Sequence, residues 1–130
     1  MTAILGVIGY PLAHSLSPAF QQAALDHYAT DIRFEVWETS PDALSQRMSR
    51  LRPLDVLGAS VTVPHKEAVI SLLDHLADSA KSVSAVNTIV NRSGILEGHN
   101  TDTIGFLRAL KEDGGFDPAG KRVLLLGAGG

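Results

Sequence analysis

The sequence predicts an α/β fold: a mainly parallel sheet with helices on both faces. Three observations carry that reading. Apolar runs of strand length alternate along almost the whole chain with segments whose apolar residues recur at helical spacing. The first run, residues 3–9 (Ala-Ile-Leu-Gly-Val-Ile-Gly), and the last, Arg122–Leu126, are nearly continuous in apolar character, as strands covered on both faces are. The residues able to do chemistry gather just after the strand ends, where open α/β sheets hold their ligands.

Taken in order, the strand over 3–9 leads to Ser17-Pro18, an N-cap followed by a proline in the first helical turn. The helix this opens should reach about Tyr28 and bury Phe20, Ala23 and Ala24, with His27 on the same stripe. Residues 32–38 alternate strictly, so this strand has one polar face and belongs near a sheet edge. Ser40-Pro41 repeats the cap-and-proline pattern and opens a helix to about Leu51. Residues 56–63 make a third strand, which Pro64 ends because proline cannot donate to a ladder. A helix or helix pair is expected from Lys66 to about Val83, then a hairpin of 85–92 and 95–98 about Ser93-Gly94. Residues 101–113 read as a helix stopped by Gly114-Gly115, and Arg122–Leu126 as a last buried strand. The glycine turn Gly127-Ala128-Gly129-Gly130 would normally feed a helix whose amino terminus holds a phosphate, so the sequence is expected to end inside that motif.

Composition removes several function classes. The 130 residues are 45% hydrophobic, with a formal net charge of −3, enough for one compact core. Mild acidity without runs of like charge gives no footprint for nucleic acid or an anionic membrane. There is no cysteine, hence no disulfide framework and no thiolate metal site. The histidines at 14, 27, 65, 75 and 99 have no metal-binding spacing, and none is read as a ligand or a general base. The apolar amino terminus lacks a basic region and breaks at Gly9-Tyr10-Pro11, unlike a signal peptide. No apolar stretch approaches the ~18 residues of a membrane span. A cytoplasmic protein is expected.

Two segments carry candidate chemistry. Val-Thr-Val-Pro-His-Lys-Glu (61–67) and Glu-Gly-His-Asn-Thr-Asp-Thr-Ile-Gly (97–105) put Lys66 and Asp102 at the ends of separate strand runs. If they converge, they can move a proton to and from a substrate oxygen. A lysine in a first helical turn is disfavoured by the helix dipole, so Lys66 needs a reason to be there; Asp102 in a first turn is favoured by that dipole anyway. Capping accounts for Ser17 but not for Ser15, and two hydroxyls near a helix amino terminus suit a carboxylate. Thr62 is ordinary for a strand. Asn87 puts an amide inside an apolar run, where it must find partners. Asn100 is read as shaping the loop before Asp102.

Gly-Tyr-Pro-Leu-Ala-His-Ser-Leu-Ser-Pro (9–18), Gly-Ala-Ser-Val-Thr-Val-Pro-His-Lys-Glu (58–67), Ala-Val-Asn-Thr (85–88), Gly-His-Asn-Thr-Asp (98–102) and Leu-Leu-Gly-Ala-Gly-Gly (125–130) resemble the shikimate dehydrogenase family, in its order and spacing. The resemblance implies NADPH-dependent, reversible reduction of 3-dehydroshikimate to shikimate, in aromatic amino-acid biosynthesis. It implies a substrate-binding and catalytic α/β domain over 1–100, a connecting helix and linker over 101–120, and the first strand and glycine turn of a truncated NADP-binding Rossmann domain over 121–130. On that pattern Lys66 and Asp102 are catalytic and touch the substrate. Ser15 and Ser17 hold its carboxylate, and Thr62 and Asn87 its hydroxyls. The cofactor would contact Asp78, Gly127, Ala128, Gly129 and Gly130. The partner implied is a small molecule, neither nucleic acid nor membrane, and the family admits a homodimer. A fragment of this length would itself be inactive. The sequence departs from the pattern at Leu16, where the family often has Lys, at Ser60, commonly Asn, and at Thr103, frequently Gly; only Ser60 falls at an expected substrate contact. The alternatives are a quinate/shikimate dehydrogenase paralogue and a non-catalytic substrate-binding domain.

Overall fold

The computed structural model describes residues 2–127, so the readings at Ala128, Gly129 and Gly130 lie outside the described residues. Six strands form one sheet: β1 (Ala3–Gly9), β2 (Ile32–Glu38), β3 (Val56–Val61), β4 (His75–Leu76), β5 (Thr88–Arg92) and β6 (Ile95–His99), in the order β2-β1-β3-β5-β6-β4. β1 pairs in parallel with β2 and β3, and β4 with β6. The β5–β6 hairpin joins antiparallel to β3. The sheet is therefore mixed, parallel through its first half. The continuously apolar β1 lies between two strands, and the alternating β2 takes the edge, as their patterns require.

One face of the sheet carries the core. Ile8, Ala59, Val61, Ile89 and Leu96 pack there with Trp37 and with Leu44 and Met48 of α2 (Leu44–Ser49), and Val69 and Val86 close the cluster. β3 and β5 approach so closely at Gly58 that a Cβ there would stand 2.1 Å from the Ile89 carbonyl oxygen. The hairpin is locked from outside the ladder. Asn91 Nδ2 lies within 2.7–2.9 Å of the carbonyls of Leu51, Pro53 and Val56, while its Oδ1 accepts Gly94 N–H at 2.7 Å. Arg52 adds a bond to Asp74 at 2.7 Å, and Asp74 accepts Leu96 N–H at 2.8 Å.

Several expectations are corrected. α1 (Ser17–His27) buries no residue: Phe20 is 58% exposed, and Ala23, Ala24 and His27 face away from the sheet. The helix is instead fastened by Gln22, whose Oε1 accepts Phe34 N–H at 2.8 Å and whose Nε2 donates to Ile32 O at 3.3 Å. Polar bonds to the edge strand thus override the apolar stripe. The helix expected from Ser40 begins as a 3₁₀ turn, Pro41–Ala43, before α2. The segment after Lys66, read as a helix or helix pair, holds two short helical pieces, a 3₁₀ turn (Ala68–Leu72) and α3 (Asp78–Lys81), separated by the unexpected edge strand β4. A two-residue strand has no period to read. α4 (Asp102–Arg108) widens into a π turn over Ala109–Asp113. Arg122–Leu126 forms no strand, and Val123–Leu126 are 72–89% exposed. A doubly covered strand needs neighbours on both sides, and the described residues supply none.

Candidate active site

A cleft of about 370 Å³ opens where the carboxyl ends of β1 and β3 meet the amino end of the reversed strand β5. α1 contributes Ser17, Phe20 and Gln21 to its lining, β3 and the turn after it Ser60, Thr62 and Lys66, and the remaining wall is Asn87, Thr88, Thr101 and Asp102. Five of the six residues expected to hold substrate therefore converge: Ser17, Thr62, Lys66, Asn87 and Asp102. Ser15 stands just behind them in the same loop and does not line the cleft.

The loop carrying the serines is pinned at several points. Glu38 Oε2 accepts Leu12 N–H at 2.7 Å, Tyr10 N–H donates to Val63 O at 3.0 Å, and Ser15 N–H to Leu12 O at 3.0 Å. The N-cap reading of Ser17 is corrected. Ser17 is the first residue of α1, no side chain caps that helix, and the Ser17 hydroxyl is free for a ligand. Ser15 Oγ instead accepts Ser17 N–H at 3.3 Å and shapes the turn. Leu16 holds helical backbone angles, so the N-cap position falls one residue earlier than the serine-proline pattern indicates.

Lys66 stands in the turn before the 3₁₀ segment rather than in a helical first turn, so the dipole argument against a cation does not apply. Its backbone is held by Val86 N–H, which donates to Lys66 O at 2.7 Å. The preceding His65 is buried, with Nε2 2.6 Å from Thr39 O. Lys66 Nζ donates to Asp102 Oδ2 at 2.6 Å. Asp102 begins α4, and buried Asn100 sets its position: Asn100 Oδ1 accepts the N–H groups of Asp102 at 3.0 Å and Thr103 at 3.2 Å, while Nδ2 donates to Ala85 O at 3.0 Å. Asn100 thus satisfies the first orphan donors of the helix and shapes the loop, as its place in the motif suggests.

The amide of Asn87 finds its partner in Thr101, which the sequence reading passed over. Asn87 Nδ2 donates to Thr101 Oγ1 at 2.7 Å and Asn87 Oδ1 accepts Thr101 N–H at 2.9 Å. Thr88 Oγ1 also donates to that Oδ1, at 3.0 Å. Thr88 and Gln21 were legible only through the fold: one faces Ser60 across the ladder, the other follows Ser17 by one helical turn. A lysine has three N–H donors, so an ammonium bonded to one carboxylate still has protons to offer an oxygen in the cleft. The surrounding hydroxyls and amides can hold a polyhydroxylated ligand beside it.

Of the residues read as cofactor contacts, Asp78 and Gly127 are among the described residues. Asp78 is fully exposed at the start of α3, 3.5 Å from Lys81, and lies outside the cleft. Gly127 has φ +101°, a conformation suited to a glycine turn. Among the described residues no group of three or more acidic, histidine or cysteine side chains could hold a metal, and no helix is long and apolar enough to cross a membrane.

Comparison with known proteins places this geometry. The family described as the shikimate dehydrogenase substrate binding domain matches residues 7–89. The shikimate dehydrogenase (NADP(+)) of Geobacter metallireducens is 48% identical over 129 residues, covering 99% of this chain and 45% of the relative. The corresponding protein of Moorella thermoacetica is 46% identical, over 99% of this chain and 43% of its own. The chain spans somewhat less than half the length of these curated relatives. Among solved structures, shikimate 5-dehydrogenase from Thermus thermophilus in complex with shikimate superposes with a TM-score of 0.83 at 39% identity, over 92% of this chain and 45% of that one. The ligand-free 5-ketofructose reductase of a Gluconobacter strain gives 0.86 at 36% identity, over 100% and 46%.

Proposed function

This chain belongs to the shikimate dehydrogenase substrate binding domain family, and from that premise we propose that it is the substrate-binding and catalytic part of an NADP-dependent enzyme interconverting 3-dehydroshikimate and shikimate. In this reading residues 1–100 hold the substrate, 101–120 form the connection, and the nicotinamide cofactor is held by polypeptide beyond the described residues. The names of the relatives support the cofactor, and the Thermus structure, with shikimate bound, supports the ligand.

The observation that carries the proposal is the Lys66–Asp102 pair on the wall of a polar cleft that also presents Ser17, Thr62 and Asn87. Lys66 gives a proton to the oxygen of the ring carbonyl as it is reduced and takes it back in the reverse direction. Asp102 aims the ammonium and accepts from a ring hydroxyl. Asn87, oriented by Thr101, and Thr62 bond the hydroxyls. The free hydroxyl of Ser17, with Ser15 behind it, takes the carboxylate. A ring fixed at both ends presents one carbonyl to the open side of the cleft, which is the positioning a bimolecular transfer needs. Consumption of a diffusible, charged hydroxy acid suits a cytoplasmic enzyme.

Titration of the chain with shikimate, followed through its backbone amides, tests the proposal. Shifts are expected at Ser17, Thr62, Lys66, Asn87 and Asp102. A ligand that moves none of them, or only residues of the core face, would remove the functional reading.

A further inference from the structure

Two cavities open on the same face of the sheet, and three residues border both. The cleft of Lys66 and Asp102 and an apolar groove beside it, about 240 Å³ in volume, share Gln21, Ser60 and Thr88. Ser60 and Thr88 stand opposite each other across the β3–β5 ladder. Gln21 descends from α1 one turn beyond Ser17 on the same face of the helix. All three are half-buried. The row they make separates the polar cleft from the apolar groove.

The fold leaves most of the hydrogen-bonding capacity of these polar groups unused among the described residues. Gln22, the next residue, is engaged at both ends of its amide by β2. Among the described residues the side chain of Gln21 has no hydrogen-bond partner, and neither has the hydroxyl of Ser60; Thr88 donates to Asn87 Oδ1 and keeps its lone pairs free. A primary amide offers two donors and an acceptor, and a hydroxyl offers one donor and two lone pairs. Left unmatched when a ligand fills the cleft and expels water, such groups cost free energy.

We propose that Gln21, with Ser60 and Thr88, binds a substrate hydroxyl that points away from Lys66–Asp102 toward the groove, which makes Gln21 a specificity-determining residue. The inference rests on the functional reading above. The chemistry of the row selects the group. A carboxylate, which only accepts, would leave the acceptor atoms of the row unmatched. A ring methylene would leave Gln21 and Ser60 unpaired and the Thr88 lone pairs unmatched. An alcohol, donor and acceptor at once, matches every member. The departure at position 60 fits this arrangement: serine is shorter than the asparagine common there, and Gln21 brings an amide to the same cleft from the helix side.

Steady-state kinetics of the complete enzyme carrying this sequence, with its substrate and with ring analogues each lacking one hydroxyl, form the test. Gln21→Leu should raise KM for the substrate about 3- to 10-fold, with kcat within about twofold. For one of the analogues, wild type and variant should give the same KM. Ser60→Ala should show the same split on a smaller scale, and it serves as the readout if Gln21→Leu fails to fold. An unchanged KM for the substrate, or equal losses with every analogue, overturns the assignment. Wild-type enzyme inert toward both hydroxy acid and keto acid would remove the functional reading and this inference together. A wild type that is active and indistinguishable from Gln21→Leu removes the inference alone.

Discussion

Lys66 Nζ and Asp102 Oδ2 stand 2.6 Å apart although 36 residues separate them in the sequence. The contact exists because β5 and β6 lie next to β3 in the sheet, so the turn after β3 and the start of α4 reach the same rim. Asp102 is 55% exposed and Lys66 20% exposed. An ion pair so open to solvent contributes little to stability. In the proposed function its value is the placement of a proton donor beside a polar cleft.

Replacing Lys66 by Ala in the complete enzyme should therefore cut turnover by ~10²–10⁴ while KM changes only a few-fold, since proton transfer acts mainly in the transition state. Steady-state rates of reduction measure it. Near-normal turnover would take Lys66 out of the catalytic role.

Asp102→Asn separates positioning from folding. The amide can still accept from the ammonium but no longer fixes it by charge. Turnover should fall by less than in Lys66→Ala, and thermal stability should move by no more than about 1 kcal/mol, the range of exposed pairs. A large loss of stability in a melting experiment would mean that the pair is structural.

The parts of this site legible in the sequence are those whose local chemistry was out of place. Asn87 in an apolar run needed a partner, and Lys66 and Asp102 stood at strand ends. The identity of Asn87's partner, Thr101, was not legible, because it depends on two chain segments meeting across the hairpin. Apolar periodicity placed β1, β2, β3 and the hairpin but misassigned the buried face of α1. There Gln22 docks the helix through hydrogen bonds, which leave no periodic trace. β4 is too short to carry a pattern, and Arg122–Leu126 has strand composition without strand neighbours.

The contribution of each serine is testable. Ser17 presents a free hydroxyl to the cleft, so Ser17→Ala should weaken a carboxylate ligand by about 1.5–3 kcal/mol, the worth of a hydrogen bond to a charged group. An analogue with the carboxylate replaced by a neutral group of similar shape should lose much less. Ser15→Ala should weaken both ligands, because it also releases Ser17 N–H from its bond. Calorimetric titration with the two ligands decides it; equal losses in Ser17→Ala would refute the carboxylate assignment.

The chain over residues 1–130 should bind shikimate but neither NADPH nor NADH measurably. Ser17, Thr62, Asn87 and Asp102 converge within it, whereas Asp78 is exposed outside the cleft and a Cβ at Gly127 would meet no neighbouring atom within 4 Å. Calorimetry with each nucleotide checks this. A micromolar constant for NADPH would put the cofactor on a surface other than the one proposed.

Acid should weaken the molecule partly through Asp74, on the edge away from the cleft. The Arg52 guanidinium, bonding its carboxylate at 2.7 Å, is the first cause that holds Asp74 below its ordinary value of 3.8, and Leu96 N–H is the second. A carboxyl with a folded pKa below its unfolded one stabilises the fold above the unfolded value, and the contribution disappears as pH falls through the folded one. Asp74→Asn should therefore be less stable than wild type at neutral pH. The gap should narrow as pH falls below about 4, where the wild-type carboxylate also protonates. Arg52→Ala should behave in the same way, because it removes the larger of the two causes together with the bond from Arg52 to Gly94 O. Urea unfolding at neutral pH and across the acid range measures both variants. A gap that stays constant with pH would mean that the Asp74 carboxylate is no more acidic in the folded chain than in the unfolded one, and that the tie between Arg52, Asp74 and Leu96 acts only through its geometry.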